Sequence, residues 1–492
     1  FYSVLEDNYS TFIKNAITGQ RLCAIALEGD MDCDGIYNAI DITMLKGLLL
    51  GKTFDKSSII RRDTNKDGSF DVKDVVRLKK YISDILLPDN RDLSNGVVYK
   101  NIFTEDIGSI ENATIYPIAK VENYSKIIEA DSSKYFDEKA SAFAAEINNN
   151  KIGDFEKTGM DKMCHVSTFL YAKGNIYMTY YANTVSAAEN PKYQVARLAY
   201  ASENDTSKKK IIDIMQVGDD LYGFKVTGVY DTILMQKDDD PDNLYILWTA
   251  SINGKYYRLY SIFNMVTEEM GAIGVNKFKV NDTVNDFSST GMQKALNNEG
   301  IGFKNFFSDI GVMQKLSSRI ENGEKYYYSG TYSGNFTAII KSKDLVTWEY
   351  VSQPDFINDS KWENATYVLG DKVYYFVRQQ DGNKSGFLTV YDINNDIWEK
   401  PVEIWDCQSR SDFIIYKGGM YLFHAPIDRE HIGIVKINTE DITQSEVVLQ
   451  ANMQSSCFYP FIQYYKDGEL AMSYTVARKH IRLARFTLSK YF

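Results

Sequence analysis

The sequence predicts two folded parts of different class. One is a small α-helical module of two EF-hand-like calcium loops with their helices. The other is a large all-β domain, a β-propeller of five to seven blades. Three observations carry this. The segments DMDCDGIYNAID at 30–41 and DTNKDGSFDVKD at 63–74 repeat one arrangement of side-chain oxygens around a glycine. From about residue 101 the texture changes to short runs of alternating apolar and aromatic residues. At 492 residues the chain exceeds the roughly 250–300 at which one core stops growing.

In an EF-hand-type loop, oxygens at positions 1, 3, 5, 7, 9 and 12 surround Ca²⁺, and glycine at position 6 permits the sharp turn. The first loop offers Asp30, Asp32, Asp34, the Ile36 carbonyl, Asn38 and Asp41. The second offers Asp63, Asn65, Asp67, the Ser69 carbonyl, Asp71 and Asp74, with Gly35 and Gly68 at position 6. Hard oxygen ligands in this number select Ca²⁺ over zinc or copper, so two Ca²⁺ ions are expected. Two full matches in tandem outweigh the alternative of two solvated Asp-rich turns. Each loop leads into an amphipathic stretch, IDITMLKGLLLG and VKDVVRLKKYISDILL, with helical apolar spacing. No comparable helix precedes either loop, and position 12 is Asp rather than Glu.

On these loops and helices, residues 28–88 resemble a dockerin, the duplicated calcium-loop module of cellulosomal proteins. The resemblance implies a secreted bacterial protein of the cell-surface cellulosome, docked onto a cohesin of a scaffoldin. It also implies that loop positions 10 and 11 read the cohesin. Here these are Ala39 and Ile40, then Val72 and Lys73, with Lys46, Lys79 and Lys80 on the rim.

Residues 1–27 form a lead-in. Residues 89–100 (PDNRDLSNGVVY for 88–99) are polar with Pro and Gly and read as a linker. The remainder, 101–492, is the carbohydrate-active candidate. Its runs GNIYMTYYAN, DNLYILWTAS, KYYYSGTYSG, DKVYYFVRQ, GMYLFHAP and GELAMSYTV alternate as antiparallel strands do. Comparable strands often recur at about 40–60 residues, the length of one four-stranded blade. A pair of β-sandwiches is the alternative. Residues 285–320 are less strand-like and read as a helical or loop insertion.

Composition narrows the partners. A net charge of −11 opposes nucleic-acid binding, which requires a basic face. No apolar run reaches the roughly 18 residues of a membrane helix. The first residue is Phe, not Met, and a removed leader is the expectation. Five cysteines without a CxxC pair read as free buried thiols. The 36 tyrosines suit a surface that stacks on sugar rings.

Cleavage of glycosidic bonds usually needs converging carboxylates. Acids set in apolar or aromatic surroundings are the candidates, because burial there shifts their pKa. These are Asp231 in GVYDTILM, Glu363 in KWENATY, Asp406 and Asp412 around Arg410, and Glu189 in ANTVSAAENP. His424 lies near Arg429 and His431 in LFHAPIDREHIG. Such a mixture of His and Arg also suits a polysaccharide lyase acting on a uronate-rich glycan. SKDLVTWEYV at 342–351 resembles the Asp-box turn of sialidase-like propellers, which implies a structural role for Asp344 and Trp348. CFYPFIQYYKDGELAMSYT resembles the sialidase segment that carries the nucleophile, which implies Tyr459 for that role. The same resemblance implies an arginine cluster for a carboxylate, with Arg378, Arg410 and Arg478 as candidates. Sequence thus favours a secreted glycoside hydrolase-like propeller carried by a dockerin. A lyase and a non-catalytic carbohydrate-binding or cell-surface protein are the alternatives.

A module this small has little core of its own, so its ions supply much of its folding free energy. EDTA is expected to unfold residues 28–88 in the full chain, read as new proteolytic cleavage within that segment. Protection that persists in EDTA contradicts this reading.

Overall fold

The computed structural model describes residues 31, 39–51, 64, 69–85, 127–128 and 137–492, apart from 222, 253, 304–308, 335, 355–360, 380–384 and 428. The chain forms two compact units, 1–102 and 103–492. The lead-in, the linker, Cys23, Cys33 and the expected ligands Asp30, Asp32, Asp34, Ile36, Asn38, Asp63, Asn65 and Asp67 lie outside the described residues.

In the first unit, α1 (Ala39–Leu49) and α2 (Val72–Ile85) follow the two loops. Leu45, Val75 and Leu78 bury together with Met31. Asp41 and Asp74, the twelfth loop residues, sit in the first turns of these helices, where a carboxylate complements the helix dipole. Both are buried, and both accept the backbone N–H of the second loop residue. Met31 N donates to Asp41 Oδ1 at 2.6 Å, and Thr64 N donates to Asp74 Oδ1 at 2.8 Å. The duplication read in the sequence is therefore a duplication of hydrogen bonding.

In the second unit a short strand, Ile127–Ile128, is followed by α3 (Glu138–Asn149), which the all-β expectation did not include. Its signals are local. Asp137 caps Lys139 N, and Ala140, Phe143, Ala144 and Ile147 form one buried stripe. Six sheets follow. The innermost strands are β2 (Met163–Ala172), β3 (Phe224–Met235), β4 (Gly311–Val312) resumed as β5 (Ser317–Glu321), β6 (Lys361–Leu369), β7 (Asp412–Tyr416) and β8 (Phe458–Tyr464). The six sheets contact one another in sequence, and β8 contacts β2 to close the ring. The large unit is thus a propeller, within the expected range of blades. The last blade takes its outer strand from the start of the ring. There β1 (Lys151–Asp154) pairs antiparallel with the strand His480–Phe486.

Blades stack face to face, so inner strands are buried on both sides rather than alternating in and out. Their polar residues pair internally, as Thr168 and Thr179 do at 2.8 Å. Outer turns repeat a device in which an Asx side chain accepts two backbone N–H groups ahead of it. Asn264, Asp344, Asp392 and Asn438 all do this. In the SKDLVTW turn, Trp348 is fully buried between strands. The 285–320 segment holds α4 (Ser289–Asn298), capped by Ser288. Cys164, Cys407 and Cys457 are free and buried.

Candidate active site

Innermost strands begin, and second strands end, at one face of the ring, around a cavity of about 450 Å³. Blade 1 contributes Val166 from β2 and Glu189 from the loop after the second strand. Blade 2 contributes Asp231 from β3, and blade 4 contributes Glu363 from β6 with Arg378 from its second strand. Arg410, Arg429, Tyr459 and Arg478 come from blades 5 and 6. Tyr181, Tyr230, Tyr256, Tyr332 and Asp309 complete the walls with Pro191 and Gln194.

At the floor, Glu363 ties three groups together. Its Oε1 accepts from Tyr459 Oη at 2.8 Å and from Arg410 Nε at 2.8 Å, and its Oε2 pairs with Arg378. Arg410 also places Nη1 2.5 Å from Asp231 Oδ1, and Arg258 behind it lies 3.2 Å from Asp231 Oδ2. Arg410, Asp231 and Glu363 are all buried, with the Arg410 side chain only 3% exposed. Burial alone would raise the Glu363 carboxyl, but the Arg410 and Arg378 guanidinium groups outweigh it and hold it below its ordinary range. Glu363 therefore contributes stability that is present above its ordinary pKa and lost as pH falls through the lower folded value. The Tyr459 phenol is pushed up to about 12 by burial and by the Glu363 charge. It holds its proton at neutral pH with an acceptor already in place.

Arg410 lies over the Tyr459 ring at 5.0 Å, and His165 stacks on it at 4.4 Å. Burial, then the surrounding arginines, keeps His165 neutral. At the mouth, Glu189 pairs with Arg478 and accepts from Tyr181 Oη. The side chains of Glu189 and Arg478 are 33% and 32% exposed. Asp309 faces the same cavity. Burial, then Glu363 and Asp231, raises its pKa.

The backbone takes an unusual course here. Val166, Asp231, Arg429, Tyr459 and Arg478 all have φ between 51° and 65°, a region non-glycine residues rarely adopt. In β3 and β8 the sheet register shifts beside these residues, turning the side chains inward. Gly311 lets the walls close up, since a Cβ there would stand 2.6 Å from Asp231 Oδ2.

Of the seven catalytic candidates, Asp231, Glu363, Arg378, Arg410, Arg429 and Tyr459 line this one cavity. His424 does not. It is buried in blade 5 with Nδ1 3.5 Å from Cys407 Sγ, and burial lowers its pKa to about 4. Of its sequence neighbours, Arg429 lines the cavity, while His431 lies on the adjacent strand, where Gly433 is opposite His424. Asp412 is bonded to Lys315 at 3.0 Å and to Ile462 N at 2.8 Å. Asp406 accepts from Ile427 N at 2.7 Å, so both act as struts. Sequence reasoning missed Asp309, Tyr181 and Tyr332, which carry no local signature. Asp154, Glu156 and His480 also cluster, but Arg482 and Ile481 N hold the two carboxylates, so this cluster fastens the ring closure.

In the first unit, the described loop oxygens Ser69, Asp71 and Asp74 stand together at the start of α2, and Asp41 matches Asp74. Asp71 N donates to Asp74 Oδ2 at 2.8 Å. A buried carboxylate at the twelfth position, holding the backbone amide of the second, fits the end of a calcium loop. Residues 28–83 match the dockerin type I domain. This dockerin segment exposes two apolar residues one turn apart on α2, Val72 at 65% and Val76 at 60%. No curated protein matches the chain. Among solved structures, the chain is similar to the K499G mutant of NanB sialidase from Streptococcus pneumoniae, at 11% identity. That match covers 70% of this chain and 71% of the other, with a TM-score of 0.45. It is also similar to the Hadza microbial sialidase Hz136, at 9% identity over 68% and 67%, with a TM-score of 0.49. A third is the Trypanosoma rangeli sialidase, at 14% identity over 70% and 57%, with a TM-score of 0.44. Among the described residues no helix is long and apolar enough to cross a membrane.

Arg410→Ala leaves Asp231 without one of its two cations and Glu363 without its Nε donor. Breaking a buried pair from one side typically costs about 3–5 kcal/mol. The expected result is a clear loss of stability in denaturant titration, larger than that for Arg478→Ala at the mouth. Equal midpoints for the two variants contradict the network.

Proposed function

We propose that the chain is an extracellular enzyme of a scaffoldin-borne complex. Its dockerin binds a cohesin in a Ca²⁺-dependent manner, and its propeller cleaves glycosidic bonds with Tyr459 as nucleophile. The observation that carries this is the Tyr459–Glu363 hydrogen bond inside the frame of Arg378 and Arg410.

A phenol that titrates near 12 is a poor nucleophile unless its proton is removed as it reacts. Glu363, kept ionised by two guanidinium groups, is placed to take that proton. As Tyr459 Oη bonds to the anomeric carbon, the glycosidic C–O bond breaks and charge moves toward the phenol oxygen. Arg410 above the ring favours that charge. The departing oxygen needs a proton. Asp231, Glu363 and Glu189 are each paired with an arginine, so Asp309, whose pKa burial raises, supplies it. Water then attacks the glycosyl-tyrosine. Its oxygen joins the anomeric carbon as the bond to Tyr459 Oη breaks, and its proton passes to the carboxylate that protonated the leaving oxygen. Tyr459 recovers its own proton from Glu363, and the sugar leaves with retained configuration.

For docking, Val72 occupies loop position 10 of the second repeat, and Val76 extends the same face. Two exposed valines on a helix face suit burial against a partner. Asp41, Ser69, Asp71 and Asp74 belong to the donor set that would hold two Ca²⁺ ions and so order both helices.

Two experiments test these halves. Tyr459→Phe and Glu363→Gln are each expected to lower kcat by about 10²–10⁴. A fluorinated activated glycoside should leave its sugar on the Tyr459 peptide in mass spectrometry. Full activity of Tyr459→Phe, or an adduct on another residue, would discard the mechanism. Val76→Asp is expected to weaken cohesin capture at least about tenfold with unchanged circular dichroism, as for loss of an interface anchor. Undiminished capture moves the interface elsewhere.

A further inference from the structure

A glycan-acting cavity rich in arginine invites an anionic sugar. Three of the four guanidinium groups around this one are already ion-paired, and the fourth, Arg429, lies over the Phe458 ring at 5.3 Å. Four guanidinium groups and four carboxyl groups line it. Arg378 is paired with Glu363, and Arg478 is paired with Glu189. Arg410 lies between Asp231 and Glu363, bound at both ends. The fourth carboxyl, Asp309, also faces the cavity, and no described basic side chain is ion-paired with it. Resting on the reading of this cavity as a glycosidase site, we propose that it takes an uncharged glycosyl residue rather than a uronate or a sialic acid.

The physical reason is exchange without gain. A carboxylate on the guest that turns to Arg378, Arg410 or Arg478 must displace Glu363, Asp231 or Glu189. That leaves one protein carboxylate uncompensated in a partly desolvated space. Glu189, once displaced from Arg478, would stand in the same cavity as the new charge and repel it. A neutral sugar displaces no ion pair. Its hydroxyls can donate to the remaining lone pairs of Glu189 and Asp309, and its ring faces can stack on Tyr181, Tyr230, Tyr256 and Tyr332. Polar groups already held in pairs keep their geometry for hydroxyls, which need directed hydrogen bonds rather than charge neutralisation.

The experiment uses the full chain carrying Tyr459→Phe, so that binding is read without turnover. Isothermal titration compares members of charge-matched pairs: lactose with 3′-sialyllactose, galactan oligomers with oligogalacturonate, and aryl glucoside with aryl glucuronide. Xylo-oligosaccharides and their glucuronate-bearing forms complete the panel. The expected result is that a neutral member binds at least about tenfold more tightly than its anionic counterpart, a difference of about 1.4 kcal/mol. Glu189→Gln releases Arg478, and is expected to raise affinity for the anionic member of that pair about tenfold. Equal or tighter binding of the anionic members, no binding of any neutral member by a folded protein, or no gain in Glu189→Gln overturns the proposal. Neutral glycans that bind Tyr459→Phe but are not cleaved by the unaltered protein overturn the catalytic reading instead and leave this one standing.

Discussion

The large unit depends on one pairing between distant parts of the chain. Lys151–Asp154 lies against His480–Phe486, with Asp154 opposite Arg482 and ion-paired to it at 2.9 Å. Phe155 N continues the ladder onto the Ile481 carbonyl at 2.8 Å. Without that strand the last blade would end in an open edge, and blades 6 and 1 would lose the sheet they share. That seam is where the candidate site is assembled. Cys164 N donates to the Arg478 carbonyl, and His165 of blade 1 stacks on Tyr459 of blade 6. The bond that completes the fold also brings the reactive phenol to its neighbours.

The buried charges raise a different balance. Four ionised groups in one core, Arg258, Asp231, Arg410 and Glu363, gain little net stability over apolar packing of the same volume. What they supply is position. Each carboxylate is fixed by two cations approaching from different blades, so Tyr459 meets an acceptor whose location is shared across half the ring. The outer turns achieve a similar registration more simply, with one Asx side chain gathering two backbone amides.

How much of this was legible depended on whether chemistry followed local sequence. The calcium loops did, because all ligands of such a site lie within twelve residues. The strands were legible as β, but the repeat was blurred, because Asn264, Asp344, Asp392 and Asn438 do one job in unlike sequences. Only the Asp344 turn, with its Trp348, had a readable form. Asp231, Glu363 and Arg410 stood out as charges inside apolar or aromatic runs, and the ring then brought them together. The same logic failed for His424, which is buried within blade 5 while Arg429 reaches the cavity. It could not find Asp309, in the plain segment SDIGV, or single out Tyr332 among 36 tyrosines. α3 carried an ordinary helical signature that a domain-level expectation of all-β structure passed over.

The left-handed backbone at Val166, Asp231, Arg429, Tyr459 and Arg478 bears on how such a site changes over evolutionary time. Glycine and asparagine occupy that conformation at little cost, whereas a β-branched residue such as Val166 does not. Substitution drift would therefore be biased toward Gly, Asn or Asp at these positions, and each such step would relax the fold while removing a cavity-lining side chain. A lineage that abandoned the chemistry but kept the propeller should record it there first, as a set of small or amide residues at five otherwise unrelated places in the sequence.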